Sequence, residues 1–526
     1  MTVDPASWWR HGVVYQIYPR SYQDANGDGI GDLAGITGRL DHLEWLGIDA
    51  IWLSPFYPSP KADFGYDVAD YCDVDPDYGT LGDFDRLIEA AHRRGIRLIV
   101  DIVPNHSSDE HPWFRASRSS RDDPKRDWYV WADPKPDGSP PNNWRSHFAR
   151  VSGPAWTLDA ATGQYYLHSF HPKQPDLNWW NPDVRDEFDR ILRFWLDRGV
   201  DGFRIDVAHK LARDPELRDN TYDTAGVPVG RRYDEDWPEI HTILRRWRRI
   251  LDEYDGRMAV GEVFLLDPAR LVPYYGAEDD ELHLAFNFSF LRQPWSAGAF
   301  RAATDAFDGL LPPSAWPDYT LSNHDNPRAR SRYDGNGKGE ARARLAALML
   351  LTLRGTPFVY YGEEIGMPDG EIPPDRVVDV ADRDPERTPM QWDRTASAGF
   401  TTGEPWLPVG SSATRINVEA EQGDPRSMLT LYRTLLAYRR ASTALTRGTY
   451  SPVDAGDDVF AYWRASDGER LLVALNFSAR PTSISVEPGT APGAIELSTD
   501  PDRATQPVAL GQIELGANEG LVLRCS

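Results

Sequence analysis

Cysteine is nearly absent: Cys72 and Cys525 are the two in 526 residues, too few and too far apart for a disulfide framework or a zinc ligand set. They suit a reducing cytoplasm. Long apolar runs are missing too, and none approaches the roughly 18 residues of a membrane span. Residues 1–12 carry Asp4, Arg10 and His11 and hold no apolar stretch of the kind a secretory leader needs. Basic charge is scarce. Lys and Arg number 57 against 81 Asp and Glu, a net charge of -24, which repels phosphate backbones and excludes a general nucleic-acid binder. Neither Gly-x-Gly-x-x-Gly nor Gly-x4-Gly-Lys-Ser/Thr occurs, so no nucleotide-binding loop is expected.

Apolar residues make up 40% of the chain, ample for a large core, and 19 Trp with 23 Tyr lift aromatics to 12%. That surplus suits sugars, whose C–H faces stack on aromatic rings, although aromatics also fill ordinary cores. Short β-rich runs at 13–18, 50–53, 98–103, 202–206, 258–263, 283–287, 319–322 and 358–361 alternate with segments of helical period such as 36–46, 81–94, 184–197, 239–254 and 339–353. Eight βα units predict a (β/α)8 barrel, an α/β fold with a parallel sheet.

The alternation fails over 107–174, where a segment rich in Trp, Pro, Arg and Asp is too long for a plain loop and predicts an inserted small domain. From 448 to 526 short alternating runs separated by Gly, Asp and Pro predict a terminal antiparallel β-sandwich. The barrel is therefore expected from 1–106 and 175–447.

Polar residues stand just past the predicted strands: Asp101, Asn105 and His106, then Arg204 and Asp206, then Glu262, then His324 and Asp325. In a barrel the C-terminal ends of the strands converge on one mouth, so these residues would meet. Retaining hydrolysis of a glycosidic bond needs a carboxylate nucleophile and a carboxylic acid about 5 to 5.5 Å apart. Asp206 and Glu262 can supply them from neighbouring strands. Arg204, two residues earlier on the same strand face, is expected to keep Asp206 ionised.

Asp101-Ile-Val-Pro-Asn-His106, Gly202 to Val207, Gly261 to Phe264 and Leu321-Ser-Asn-His-Asp325 resemble, in order and spacing, the four catalytic segments of the α-amylase superfamily of glycoside hydrolases (family 13). Gln174-Pro-Asp-Leu-Asn178 is similar to the stretch that marks the oligo-1,6-glucosidase and α-glucosidase branch. The resemblance covers nearly the whole chain. It implies that Asp206 is the nucleophile, Glu262 the acid/base and Asp325 the carboxylate that grips the sugar, with Arg204, His106 and His324 lining the same glucose site. It also implies that Asp63 and Tyr66 bound the end of the pocket. Phe148 and Phe170 match aromatic positions of the inserted domain, and Arg383 and Arg387 match arginines that close the pocket. Val207 occupies a position where, in that branch, Val tends to accompany α-1,6 preference.

Asp24, Asn26, Asp28 and Asp32 place oxygen-bearing side chains at alternate positions among glycines, with the Ile30 carbonyl as a further donor, a spacing that can wrap a hard cation. The loop opens like an EF-hand, but Gly35 stands where the bidentate Glu would be. The resemblance implies a structural calcium site there, with magnesium the alternative. The expected activity is an exo-acting, retaining α-glucosidase on short α-glucosides. A glucosyltransferase or sugar isomerase of the same architecture shares the catalytic residues and is the alternative. A non-catalytic transporter-associated homologue would carry a membrane span and lack the carboxylates. No nucleic-acid or membrane partner is expected, and the sequence leaves the oligomeric state open.

Overall fold

The computed structural model describes residues 7–148, 153–485, 493–503, 507–508 and 512–525. Residues 1–6, which begin the stretch read above for a leader, and 149–152, within the segment expected as an inserted domain, lie outside the described residues. So do 486–492, 504–506, 509–511 and 526 of the C-terminal segment.

Eight parallel strands form one sheet: β1 (Val14–Ile17), β2 (Ala50–Leu53), β3 (Arg97–Ile102), β4 (Gly202–Ile205), β5 (Met258–Gly261), β6 (Leu284–Ala285), β7 (Asp318–Thr320) and β8 (Thr356–Tyr360). Their spatial order is β7-β8-β1-β2-β3-β4-β5-β6. The sheet rolls up until its two outer strands face each other, and the Asn287 amide bridges them by donating to Asp318 Oδ1 at 3.3 Å. This is the expected (β/α)8 barrel. The sixth strand is two residues long instead of five.

Strand period fixes which side chains enter the barrel. Val14, Ala50, Trp52, Ile99, Met258, Val260, Leu284 and Phe358 pack together inside it. The intervening Tyr15, Ile51, Leu98, Val100 and Phe203 pack outward against the helices. On the same inward register, two residues beyond Val14, Ile99 and Val260, come Gln16, Asp101 and Glu262. Gly202 opens β4 because a Cβ there would stand 2.7 Å from the Met258 carbonyl oxygen. That close approach holds β4 and β5 together where their ends carry Asp206 and Glu262.

Helix Leu81–Arg93 shows how the outer ring forms: Thr80 and Asp83 cap its start reciprocally, while Phe84, Leu87, Ile88 and Ala91 bury one face. The helical period over 36–46 resolves into two helices, Leu33–Gly38 and Leu40–Leu46. They part at Arg39, whose backbone (φ -107°, ψ 5°) leaves the helical region. Helix Gly339–Thr352 is apolar on nearly every side, because it is wedged between the barrel and the C-terminal sheets.

Between β3 and helix Pro182–Asp197 lies a three-stranded antiparallel sheet of Trp131–Ala132, Gln164–Leu167 and Trp156–Asp159, preceded by helix Pro112–Ser119. After residue 448 a six-stranded antiparallel sheet and a two-stranded one face each other over Val459, Leu472, Ile484, Ile513 and Leu523. No helix among the described residues is long and apolar enough to cross a membrane.

Candidate active site

A cavity of about 280 Å³ opens at the C-terminal ends of the strands. It is lined by Asp63, Tyr66, His106, Phe148, Phe170, Asp206, Val207, Glu262, Asp325 and Arg383, all expected from the sequence, together with His147, Phe264, Phe288, Arg292, Asn326 and Ala381, which were not. Arg204, His324 and Arg387 stand immediately behind this wall, each at most 1% exposed.

At one end, the guanidinium of Arg204 serves three carboxylates. Its Nη1 donates to Asp101 Oδ1 at 2.9 Å and to Asp206 Oδ1 at 2.6 Å, and its Nη2 lies 2.7 Å from Glu262 Oε2. Asp101 also accepts from Trp52 Nε1 and from the Tyr66 hydroxyl, each at 3.2 Å. One positive charge facing three negative ones leaves an excess of acid. Burial pushes the Asp206 carboxyl well above the usual range, Glu262 and Asp101 push it further, and Arg204 opposes them. Arg204 therefore does not hold Asp206 ionised by itself, as the strand pattern had suggested. The Glu262 carboxyl stands within hydrogen-bond reach of Asp206 and disfavours its ionisation.

Val207 follows Asp206 in the left-handed region (φ 36°, ψ 48°), a conformation that costs a β-branched residue about 1–3 kcal/mol. The turn lets the Val207 amide donate to Glu262 Oε2 at 3.0 Å and the Ala208 amide donate to the Glu262 carbonyl at 2.9 Å. Val207 is thus the bend beyond the strand, and its amide aims the second carboxylate.

At the other end the balance differs. Arg383 donates to Asp63 Oδ1 at 2.5 Å, to Asp325 Oδ1 at 2.9 Å and to Asp379 Oδ1 at 2.7 Å. Arg387 donates to Asp325 Oδ1 at 2.9 Å and to the His324 carbonyl at 2.7 Å. Gln16 Nε2 donates to His324 Nδ1 at 2.7 Å, which fixes the imidazole proton on Nε2, 2.5 Å from the Tyr66 hydroxyl and 3.2 Å from Asp325 Oδ2. Burial drives His324 down to about 3, so the ring is neutral at pH 7. Burial alone would raise the Asp325 carboxyl, but His324, Arg383 and Arg387 together outweigh it and hold this group well below the usual carboxylate range. The Tyr66 and His324 rings stack 5.3 Å apart, while Gln174, in the stretch that marks the resembled branch, donates to Asp63 Oδ2 at 2.9 Å.

His106 is held by Asn105 at Nδ1 (3.1 Å) and by the Tyr66 carbonyl at Nε2 (3.1 Å), with its ring 5.3 Å from that of Phe170. Phe148 and Phe170 meet edge to face at 5.8 Å. Across the cavity, Phe264 and Phe288 lie 5.0 Å apart, with the Arg292 guanidinium 4.5 Å over Phe264. These aromatics lay in irregular segments where no periodicity marked them. Asp379 sits in a loop with no pattern of its own, and only its contacts with Arg383 and Arg387 reveal its part.

The Asp24–Asp32 loop folds as a series of side-chain-to-backbone turns. Asp24 accepts from the amides of Asn26, Gly27 and Gly29, Asn26 from that of Asp28, Asp28 from that of Ile30, and Asp32 from those of Ala25 and Gly35. Among the described residues no three of His, Cys, Asp and Glu converge so as to hold a metal ion. The loop is thus closed by its own hydrogen bonds, and the second lone pairs of its oxygens, with the Ile30 carbonyl, are what it could offer a cation.

Residues 16–448 match the family model described as Alpha amylase, catalytic domain, and residues 446–521 match a Domain of unknown function (DUF3459). A probable alpha-glucosidase of Rhizobium meliloti (strain 1021) is 44% identical over 501 residues, covering 90% of this chain and 89% of that protein. An oligo-1,6-glucosidase of Parageobacillus thermoglucosidasius is 41% identical over 515 residues, covering 90% and 91%. The solved structure of the alpha-glucosyl transfer enzyme XgtA superposes with a TM-score of 0.93 at 39% identity and covers 99% of both chains.

Proposed function

The chain belongs to the α-amylase family of glycoside hydrolases, and from that premise we propose that it is an exo-acting, retaining α-glucosidase that releases glucose from the ends of short α-glucosides by double displacement. The observation that carries this reading is the pairing of Asp206 with Glu262 across Arg204. Two carboxyl groups gripped by one guanidinium stand close together, as a retaining mechanism needs, whereas those of an inverting mechanism stand about 6.5–9.5 Å apart to admit a water. Glu262, as general acid, donates a proton to the glycosidic oxygen as Asp206 attacks the anomeric carbon and the C–O bond breaks. Glu262, now ionised, takes a proton from the water that attacks the glycosyl-enzyme and frees Asp206. Asp325, ionised between Arg383 and Arg387, accepts hydrogen bonds from sugar hydroxyls without competing for the catalytic proton.

Exo action finds support in the Arg383 bridge between Asp63 and Asp325, which closes one end of the cavity. The cavity volume is at the small end of the range of about 300–1,000 Å³ usual for small-molecule sites, which suits short substrates. Two unbonded thiols, Cys72 and Cys525, favour a reducing cytoplasm. A structural calcium on the Asp24–Asp32 loop is also proposed, with no part in the chemistry.

Hydrolysis of maltose, isomaltose, sucrose, trehalose and an aryl α-glucoside, with the first anomer followed by NMR, tests the main reading. Free α-glucose is the expected first product, and β-glucose before mutarotation would refute the role of Asp206. A second reading, glucosyl transfer to a sugar, is favoured by the Phe264–Phe288 pair on the acceptor side, which offers a sugar ring a stacking surface and offers water none. Disaccharide products at high sugar concentration would identify it.

A further inference from the structure

A second and larger cavity, about 560 Å³, lies at the opposite end of the barrel. Its floor is formed where the strands begin: Val13 precedes β1, Asp49 precedes β2 and Arg97 opens β3. Its roof is formed by helices Met428–Ala441 and Thr443–Arg447, which contribute Leu436, Arg439, Arg440 and Arg447. Nothing in the glycosidase reading uses this space.

Its charge is opposite to that of the chain. Four arginines line it against one acid, Asp49, in a protein of net charge -24. Arg440 takes up Asp49 at 2.7 Å, and Arg97 is paired at 3.0 Å with Asp201. The other two make no ion pair among the described residues, although Asp49 lies near enough to favour the charged form of Arg439. Arg439 is 1% exposed and donates its Nη atoms to the carbonyls of Leu351 and Gly355, while its Nε–H has no acceptor. Arg447 has no hydrogen bond or ion pair among the described residues. The positive field reaches the neighbouring His11: burial lowers its pKa first, and Arg447, Arg10 and Arg439 lower it further. A buried guanidinium without an ion pair, as Arg439 is, favours a bound anion, and the exposed Arg447 beside it is free to share that anion. Trp8, Val13 and Leu436 add an apolar side to the same space, which a bare inorganic ion would leave unused.

We propose that this basal crevice is a binding site for a small organic anion, a phosphate monoester whose phosphate lies between Arg439, Arg440 and Arg447 and whose organic body packs on Trp8 and Leu436. Guanidinium forks match phosphate oxygens in pairs, and the volume falls within the range usual for small-molecule sites. The site is formed by different strand ends from those that carry the chemistry, so its occupancy acts on the fold and not in competition with substrate.

The test uses the full chain, with glucose 6-phosphate, glucose and inorganic phosphate as probes at constant ionic strength, read by titration calorimetry and by thermal unfolding. Glucose 6-phosphate is expected to raise the unfolding temperature and to bind at least ten-fold more tightly than inorganic phosphate. Arg447→Ser is expected to weaken its binding about ten-fold, and Arg447→Ser with Arg440→Gln to abolish it. Hydrolysis of an aryl α-glucoside by these variants should stay at the wild-type rate, which also shows that they fold. Binding that survives the double substitution, competes with the aryl glucoside, or is equalled by inorganic phosphate would overturn the proposal.

Discussion

At one end of the catalytic cavity Asp101, Asp206 and Glu262 share a single guanidinium, Arg204. At the other, Asp63, Asp325 and Asp379 share two, Arg383 and Arg387. The acids are equal in number and both ends are largely buried, yet Asp101 and Asp206 are pushed up while Asp325 and Asp379 are pulled down. Where cations are short, burial and the neighbouring acids push Asp206 up. Where they suffice, Asp325 is pulled down. Acids crowded together against one cation are what proton transfer near neutral pH needs. A permanently ionised carboxylate is what sugar hydroxyls need as an acceptor.

The largest expected effects break the first end. Asp206→Asn and Glu262→Gln should each lower kcat by about four orders of magnitude or more, measured on an aryl α-glucoside. The same comparison gives Asp206→Asn an opposite effect on stability. A carboxyl whose pKa is raised by folding contributes stability below its unfolded value, near pH 4, and loses it as pH rises through the folded value. At pH 7 its ionised form is a burden, so the amide variant should melt higher than wild type, and a lower Tm would contradict the assigned excess of acid. The acid limb of the kcat/KM profile should accordingly lie above pH 4, where an unperturbed Asp titrates.

Asp325→Asn tests the other end. It should lower kcat/KM by roughly two to three orders of magnitude, since it removes an acceptor that strengthens in the transition state. It should also lower stability at pH 7, by about 1 kcal/mol once its partial exposure is allowed for. The sign here is reversed: a depressed carboxyl contributes stability above its unfolded pKa and loses it as pH falls through the folded one. Wild type and Asp325→Asn should therefore converge in Tm at low pH, whereas wild type and Asp206→Asn diverge as pH rises.

Val207, whose amide aims Glu262, has its side chain in the cavity wall. A branched side chain there crowds the leaving group, and an α-1,6 bond has an extra rotatable carbon with which to avoid it. Isomaltose should be cleaved at least as well as maltose, and Val207→Ala should shift the ratio of their kcat/KM values toward maltose by several-fold. A wild type that strongly prefers maltose, with no shift in the variant, would remove Val207 from the specificity account.

The smallest effect on activity concerns a third way of satisfying acids, by backbone amides in the Asp24–Asp32 loop. Calcium at a hundred times its Kd would stabilise the fold by about 2.7 kcal/mol through mass action, leaving kcat at moderate temperature unchanged. A melting curve identical after EDTA treatment and after calcium addition would mean that the amides alone complete this loop.

The sequence by itself determined the barrel and which strand-end acids would meet at its mouth. Period-two patterning at 98–103 and 258–263 sets Asp101 and Glu262 on the inward face, and a barrel brings the ends of such strands to one mouth whatever their separation in the chain. Local signals also sufficed for helix Leu81–Arg93, whose caps are written within the segment. They did not show that Arg39 divides two helices, or that 283–287 pairs over two residues only, because partners elsewhere in the fold settle those points. Tertiary structure alone decided the charge balance at each end. One arginine four residues after another, in a loop without periodicity, could have faced any acid. It is the packing of that loop, which carries Asp379 itself, against Asp63 and Asp325 that brings Arg383 and Arg387 to one end of the cavity and leaves Arg204 to serve the other alone. The left-handed turn at Val207 is likewise invisible in a β-branched residue, whose local preference is for strand, until the Glu262 carboxylate and carbonyl are there to accept the amides it exposes.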